Sequence, residues 1–132
     1  MNELLIKTAI EAQKLAKAPY SKFKVGAAVL LKDGKIIKGA NIENAAFGAS
    51  MCGERNAIFG AYCQGYKKSD IVAIAITANC DPIASPCGTC RQVLFELCPL
   101  KTPVYLANNK GKVIETTVKE LLPLGFSSES MK

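Results

Sequence analysis

Apolar positions along the chain fall into two spacings, and the change from one to the other divides it into nine elements. Leu5, Ala9, Ala12 and Ala16 recur at helical intervals, flanked by Leu4, Ile10 and Leu15. This predicts a helix over residues 2–17, capped by Asn2 and closed by Pro19. Residues 25–31 form a nearly continuous apolar run, which reads as a buried strand. Asp33-Gly34 signals a tight turn, and residues 35–38 return as the hairpin partner. Periodicity is lost over 40–49, a loop with polar Asn41, Glu43 and Asn44. Ser50 stands in capping position for a second helix over 51–64. Residues 71–78 are β-rich and apolar on both faces, as expected of a central strand covered twice. A turn-rich loop over 79–86 leads into a third helix over 87–97. Strands over 102–106 and 112–115 flank Asn108-Asn109-Lys110-Gly111. Thr117 with Glu120 forms a capping box for a last short helix, which Pro123 stops. Residues 127–132 are expected to fray.

The order α-β-β-α-β-α-β-β-α predicts a three-layer α/β/α sandwich around a five-stranded mixed sheet. No repeat or linker interrupts it, so 1–132 reads as a single domain, a length that supports one core. The net charge of +6 raises the question of nucleic acid. The 15 lysines are scattered with no run longer than two, which describes a solvating surface and no polynucleotide footprint. No apolar run approaches the ~20 residues of a membrane span. The first 17 residues lack the apolar core and cleavage site of an export signal, so a cytoplasmic location is expected. In a reducing compartment the six cysteines are better read as metal ligands or redox groups than as disulfides. The absence of histidine excludes every mechanism built on an imidazole base, including serine and cysteine triads. The two arginines, Arg55 and Arg91, each adjoin a cysteine motif.

Cys87-Gly88-Thr89-Cys90 alone fits either zinc or thiol redox chemistry. Cys52, ahead of Gly53 and Glu54, opens a different helix next to a strand, so both helix N-termini can meet at one sheet edge. Three thiolates leave one tetrahedral position open, the pattern of a catalytic zinc. Cys80 is the one plausible fourth ligand of a closed structural site. Cys63, Cys80 and Cys98 otherwise read as small buried hydrophobes. A zinc ion with three thiolates carries a net charge of −1, a poor Lewis acid unless charge is drawn from the sulfurs. Helix N-termini contribute to this, and Arg55 is the first candidate donor to a ligand thiolate, with Gln92 second. Arg91 reads equally as a surface or interface ion pair. Glu54, two residues from Cys52, can point across the metal as a proton carrier; the plainer alternative is an acidic residue favoured in a first helical turn.

At these residues the chain resembles the cytidine deaminases. The segments CGERNAI at 52–58 and SPCGTCRQVL at 85–94 are similar to the two zinc segments of that family, in its small homotetrameric class with three cysteine ligands. The resemblance continues through APYSKFKVGA at 18–27, GANIENA at 39–45 and Glu120 to Phe126. It implies one zinc per subunit held by Cys52, Cys87 and Cys90, with Glu54 as the acid/base that is not a ligand. It further implies that Asn41 and Glu43 bind the ribose hydroxyls and Phe23 packs on the substrate. The N–H of Gly53 would meet the pyrimidine carbonyl, and Phe126 would close a neighbouring subunit's pocket, so that a homotetramer shares its active sites. Many relatives carry Ala at position 53, where glycine keeps the backbone N–H. The implied activity is hydrolysis of cytidine and 2′-deoxycytidine to the uridine products and ammonia, as in pyrimidine salvage. Two alternatives stay open: the same chemistry on modified aminonucleosides or polynucleotides, and a zinc-structured or thiol-redox protein without hydrolytic activity.

Overall fold

The structure, a computed structural model, describes residues 2–80 and 82–131. The side chain of Asn2, expected to cap the first helix, and residue 132 lie outside the described residues. The elements are α1 (Asn2–Gln13), β1 (Val25–Leu31), β2 (Ile36–Ala40), α2 (Gly53–Cys63), β3 (Ile71–Ala78), α3 (Gly88–Leu97), β4 (Pro103–Ala107), β5 (Val113–Thr117) and α4 (Val118–Leu121). The five strands form one sheet in the order β2-β1-β3-β4-β5. β3 and β4 run parallel and the other neighbours antiparallel, so the sheet is mixed.

Side chains alternate between the faces of a strand, and here each face has its own helices. Ala27, Val29 and Leu31 of β1 pack with Ile58 and Ala61 of α2 and Leu94 of α3. Ala28 and Leu30 pack on the other face with Leu5 and Ala9 of α1. Two glycines permit this closeness. A Cβ on Gly26 would lie 2.1 Å from the Ala9 carbonyl oxygen of α1, and one on Gly39 would lie 2.3 Å from the Gly53 carbonyl oxygen of α2. The helices therefore rest on bare strand backbone at these points.

The strand ends shift from the sequence expectation by one or two residues, β2 to Ile36–Ala40 and β5 to Val113–Thr117 among them, and three differences go further. α1 ends at Gln13, before Pro19, because Lys17 is drawn into a β-bridge with Ile42. Lys17 N–H donates to the Asn41 carbonyl and Glu43 N–H donates to the Lys17 carbonyl, both at 2.9 Å. Leu15 is consequently exposed, as is Leu4. Ser50 does not cap α2: its hydroxyl accepts from Asn44 N–H at 3.0 Å, and Cys52 occupies the N-cap. Residues 128–131 form a 3-10 turn where fraying was expected. Thr117 caps α4 as expected, its Oγ1 accepting from Glu120 N–H at 3.2 Å, but the Glu120 carboxylate meets the Thr117 hydroxyl at 3.1 Å, so the reciprocal backbone half of the capping box is not made among the described residues.

The register places the site. Val25 pairs with Ala78 and Gly26 with Ala40, so the carboxyl ends of β2 and β3 lie together beside the start of β1. The connections from these two ends lead into α2 and α3. Open α/β sheets bind their ligands at such an edge. No helix among the described residues is long and apolar enough to cross a membrane.

Candidate active site and metal centre

Both helices that face this edge begin at a cysteine. Cys52 and Cys87 are the N-caps of α2 and α3, extended at φ −73°, ψ 152° and φ −67°, ψ 167°, and neither side chain makes a capping hydrogen bond. Their thiols are thus left to point at each other across the sheet edge, while Cys90 comes from the first turn of α3. The three sulfurs lie within 4.8 Å of one another, and those of Cys87 and Cys90 are 3.5 Å apart. A tetrahedral ion with Zn–S bonds of ~2.3 Å needs sulfurs roughly 3.8 Å apart, so the donors fit. Cys80 does not join this group among the described residues, so the closed four-cysteine alternative does not form.

The spare cysteines are not all buried hydrophobes. Cys98 is, and burial pushes its thiol up to about 12. Cys63 is exposed and Cys80 half-buried. Cys63 sits two positions beyond buried Ala61, roughly 200° around the helix, and so faces solvent.

Arg55 Nη2 donates to Cys52 Sγ at 3.2 Å, the contact anticipated from its position. Cys52 is lowered to about 5, first by the hydrogen bond from Cys90 and then, against the cost of burial, by Arg55. Cys90 is pushed up by donating to Cys52, by burial and by the charge of Glu54. Without metal, one thiolate is therefore held between a guanidinium and a neighbouring thiol, and metal binding displaces the remaining protons. Arg55 Nε is buried with no hydrogen-bond partner among the described residues. Glu54 is only 4% exposed, and burial raises its carboxyl above the usual range, with the Cys52 charge acting in the same sense.

A cavity of about 320 Å³ opens over these groups. Cys52, Gly53, Glu54, Cys87 and Cys90 line it, together with Phe23, Asn41 and Glu43. Asn41 spans the entry to β1: Oδ1 accepts from Val25 N–H at 2.9 Å and Nδ2 donates to the Phe23 carbonyl at 2.8 Å. Glu43 is gripped by the turn at 20–21. Its Oε1 accepts from the N–H groups of Tyr20 and Ser21, each at 3.0 Å, and Ser21 Oγ donates to Oε2. These donors hold Glu43 below the usual carboxylate range, Ser21 Oγ most strongly. Gly53 is the first residue of α2, where helix N–H groups lack an internal partner. A Cβ there would meet Val25 O at 3.1 Å, so an alanine needs only a small adjustment.

Two expected residues lie elsewhere. Phe126 is 58% exposed and does not line this chain's cavity. Gln92 makes no hydrogen bond to a cysteine among the described residues; its Nε2 donates to the Phe126 carbonyl at 2.7 Å. Arg91 forms no ion pair there, and its guanidinium donates to Pro86 O, Leu121 O and Ser85 Oγ. Sequence reasoning missed Ser21 as the clamp on Glu43, because the partners are 22 residues apart and no local pattern joins them.

A three-thiolate metal site beside a buried carboxylic acid, at the carboxyl edge of a mixed sheet, defines a metal-dependent hydrolytic centre. Comparison with known proteins specifies it. Residues 1–107 match the family model described as the cytidine and deoxycytidylate deaminase zinc-binding region. A cytidine deaminase of Halalkalibacterium halodurans is 54% identical over 129 residues, 98% of this chain and 96% of that protein. One from Sporosarcina psychrophila is 47% identical, covering 98% and 93%. The crystal structure of cytidine deaminase from Burkholderia pseudomallei superposes with a TM-score of 0.93 at 43% identity, covering 96% and 99% of the two chains. The chain belongs to the cytidine and deoxycytidylate deaminase family, and its three-cysteine cluster is a zinc site.

Proposed function

We propose that this protein hydrolyses the exocyclic amino group of cytidine and 2′-deoxycytidine, giving uridine or 2′-deoxyuridine and ammonia. The observation that carries this reading is the buried Glu54 carboxyl beside three convergent sulfurs, on the wall of a cavity that Asn41 and Glu43 also line. Zinc, when bound by Cys52, Cys87 and Cys90, supplies a water acidified towards neutral pH. Glu54 takes a proton from the nucleophilic water and delivers it to N3 of the base. It then takes the remaining water-derived proton from the new C4 hydroxyl and passes it to the amino group, which leaves as ammonia as the C4–N bond breaks and the C4 carbonyl forms. A carboxyl raised above its usual range by burial suits both duties, since one group must accept and return the proton within a turnover. Gly53 N–H orients the pyrimidine carbonyl, and Arg55 withdraws charge from Cys52 so that the anionic sulfur set does not suppress acidification.

Specificity follows from the mouth of the cavity. Phe23 offers a face for the base or sugar, and Asn41 and Glu43 offer hydrogen-bonding groups for the ribose hydroxyls. Glu43 stays ionised because Ser21 and Tyr20 donate to it, and a fixed carboxylate beside the sugar repels a 5′- or 3′-phosphate. The substrate is then a free nucleoside, and nucleotides and polynucleotides are disfavoured. The exposed Phe126 ring completes the pocket of a neighbouring subunit in a homotetramer with one zinc per subunit. The single 1–132 domain works in the cytoplasm, where its free thiols stay reduced.

The test is a deamination assay on cytidine, CMP, a cytosine-containing oligonucleotide and an aminonucleoside antibiotic, with zinc measured on the same sample. One zinc per chain with turnover confined to the free nucleosides supports the proposal. A fully zinc-loaded sample inert towards cytidine sinks it. An active monomer in gel filtration removes the role given to Phe126.

A further inference from the structure

We propose that Arg91 and Gln92 are positioning residues that hang the C-terminal segment on the metal-bearing helix, tying the Cys87 loop and the placement of Phe126 to one short stretch of α3. Arg91 follows the ligand Cys90, yet its guanidinium reaches no sulfur. Nε donates to the Pro86 carbonyl at 2.7 Å and Nη2 to Ser85 Oγ at 2.6 Å, which fixes the two residues that lead into Cys87. Nη1 donates to the Leu121 carbonyl at 2.7 Å, at the last residue of α4. Gln92 Nε2 then holds the Phe126 carbonyl at 2.7 Å. Between these points the chain turns at Leu124, whose φ of 57° is left-handed, and Gly125 lies so close to the Phe95 ring that a Cβ would fall 2.8 Å from it. Three residues within two turns of α3 thus fix both ends and the middle of the 121–126 segment.

A planar guanidinium can serve three acceptors lying in different directions, whereas a lysine ammonium at the end of a flexible stem cannot reach all three. Arg91→Lys therefore keeps the charge and frees the Cys87 loop. Gln92→Ala leaves that loop alone and frees Phe126. The two side chains are separable at the metal: Arg91 bears on metal retention and on the segment, Gln92 on the segment alone. The kinetic half of this inference rests on the nucleoside deaminase reading; the metal half does not.

The experiment follows zinc release from the intact oligomer to a colorimetric chelator, with cytidine kinetics and amide exchange over 119–126 on the same preparations. Arg91→Lys should release zinc about tenfold or more faster, the scale of losing support behind a metal ligand. Gln92→Ala should release zinc at the wild-type rate and raise KM more than it lowers kcat. The double variant with Phe126→Ala should be no worse than Phe126→Ala alone, since both act through one ring. Both single variants should speed amide exchange across 119–126. Wild-type zinc release in Arg91→Lys, or additive KM effects of Gln92→Ala and Phe126→Ala, overturns the proposal. If the wild-type protein does not deaminate cytidine, the substrate reading fails, while zinc release and amide exchange still decide the clamp.

Discussion

Gly39 is where the fold and the active site meet, and Gly39→Ala tests whether they are coupled as described. A methyl group on Gly39 would stand 2.3 Å from the Gly53 carbonyl oxygen and 2.4 Å from Ala57 N. Methyl carbons do not approach such atoms more closely than 3.0 Å, so β2 and the start of α2 must separate by about 0.7 Å. The obstructing atoms are helix backbone, so no rotamer change relieves the contact. Overpacking of this kind costs about 1–3 kcal/mol. For a domain of this size that lowers the melting temperature by roughly 4–15 °C. The displaced residues include Gly53 and its neighbours Cys52 and Glu54, while Cys87 and Cys90 stay with α3. A misplacement approaching 1 Å at reacting groups can reduce turnover on the order of 100-fold. Thermal denaturation, zinc content and cytidine turnover on one preparation measure all three effects. Gly53→Ala is the matched control, because its nearest contact is 3.1 Å and only a few tenths of an ångström are needed. If Gly39→Ala melts and turns over like the wild type, the close packing of α2 on β2 does not govern the site.

Glu54→Gln should retain zinc and fold with equal or greater stability, while deamination falls by about 10²–10⁴-fold; near wild-type turnover would remove Glu54 from the mechanism. Arg55→Gln removes the donor to Cys52 and should weaken zinc binding or turnover by about 10–100-fold, read by chelator competition and kinetics. Tyr66→Phe tests a pH effect remote from the site. The Tyr66 hydroxyl donates to Asp33 Oδ2 at 2.6 Å and holds that carboxyl below its usual range. A depressed carboxyl adds stability above its unfolded pKa and loses it as pH falls through the lower folded value. Wild type and Tyr66→Phe should therefore differ at neutral pH and converge in acid; a constant gap across pH would refute the assignment.

Much of this molecule was legible before the structure, and the limits have physical causes. The strand 25–31, the central strand 71–78 and the nine-element order were readable because buried strands announce themselves as apolar runs. The convergence of Cys52 with Cys87 and Cys90 was readable because each precedes or opens a helix at a strand end. What failed depends on partners distant in sequence. The end of α1 is set by the pairing of Lys17 with Ile42, not by Pro19. Ser50 has capping chemistry, but its hydroxyl serves Asn44. Gln92 and Arg91 adjoin a ligand, yet they face the C-terminal segment, which no spacing rule brings to α3.

The two helix starts carry one last implication. A serine or aspartate in the N-cap position is worth about 1 kcal/mol to a helix, and at Cys52 and Cys87 that side-chain bond is not made. When a metal is bound, the two ligand sulfurs stay as thiolates whose negative charge suits both helix N-termini, and the ion they share staples α2 to α3. Metal loading and helix initiation then become a single equilibrium. Chelation should loosen amides over 53–56 and 88–91 first and leave the sheet intact, so the enzyme would lose its metal by fraying at two points and not by unfolding.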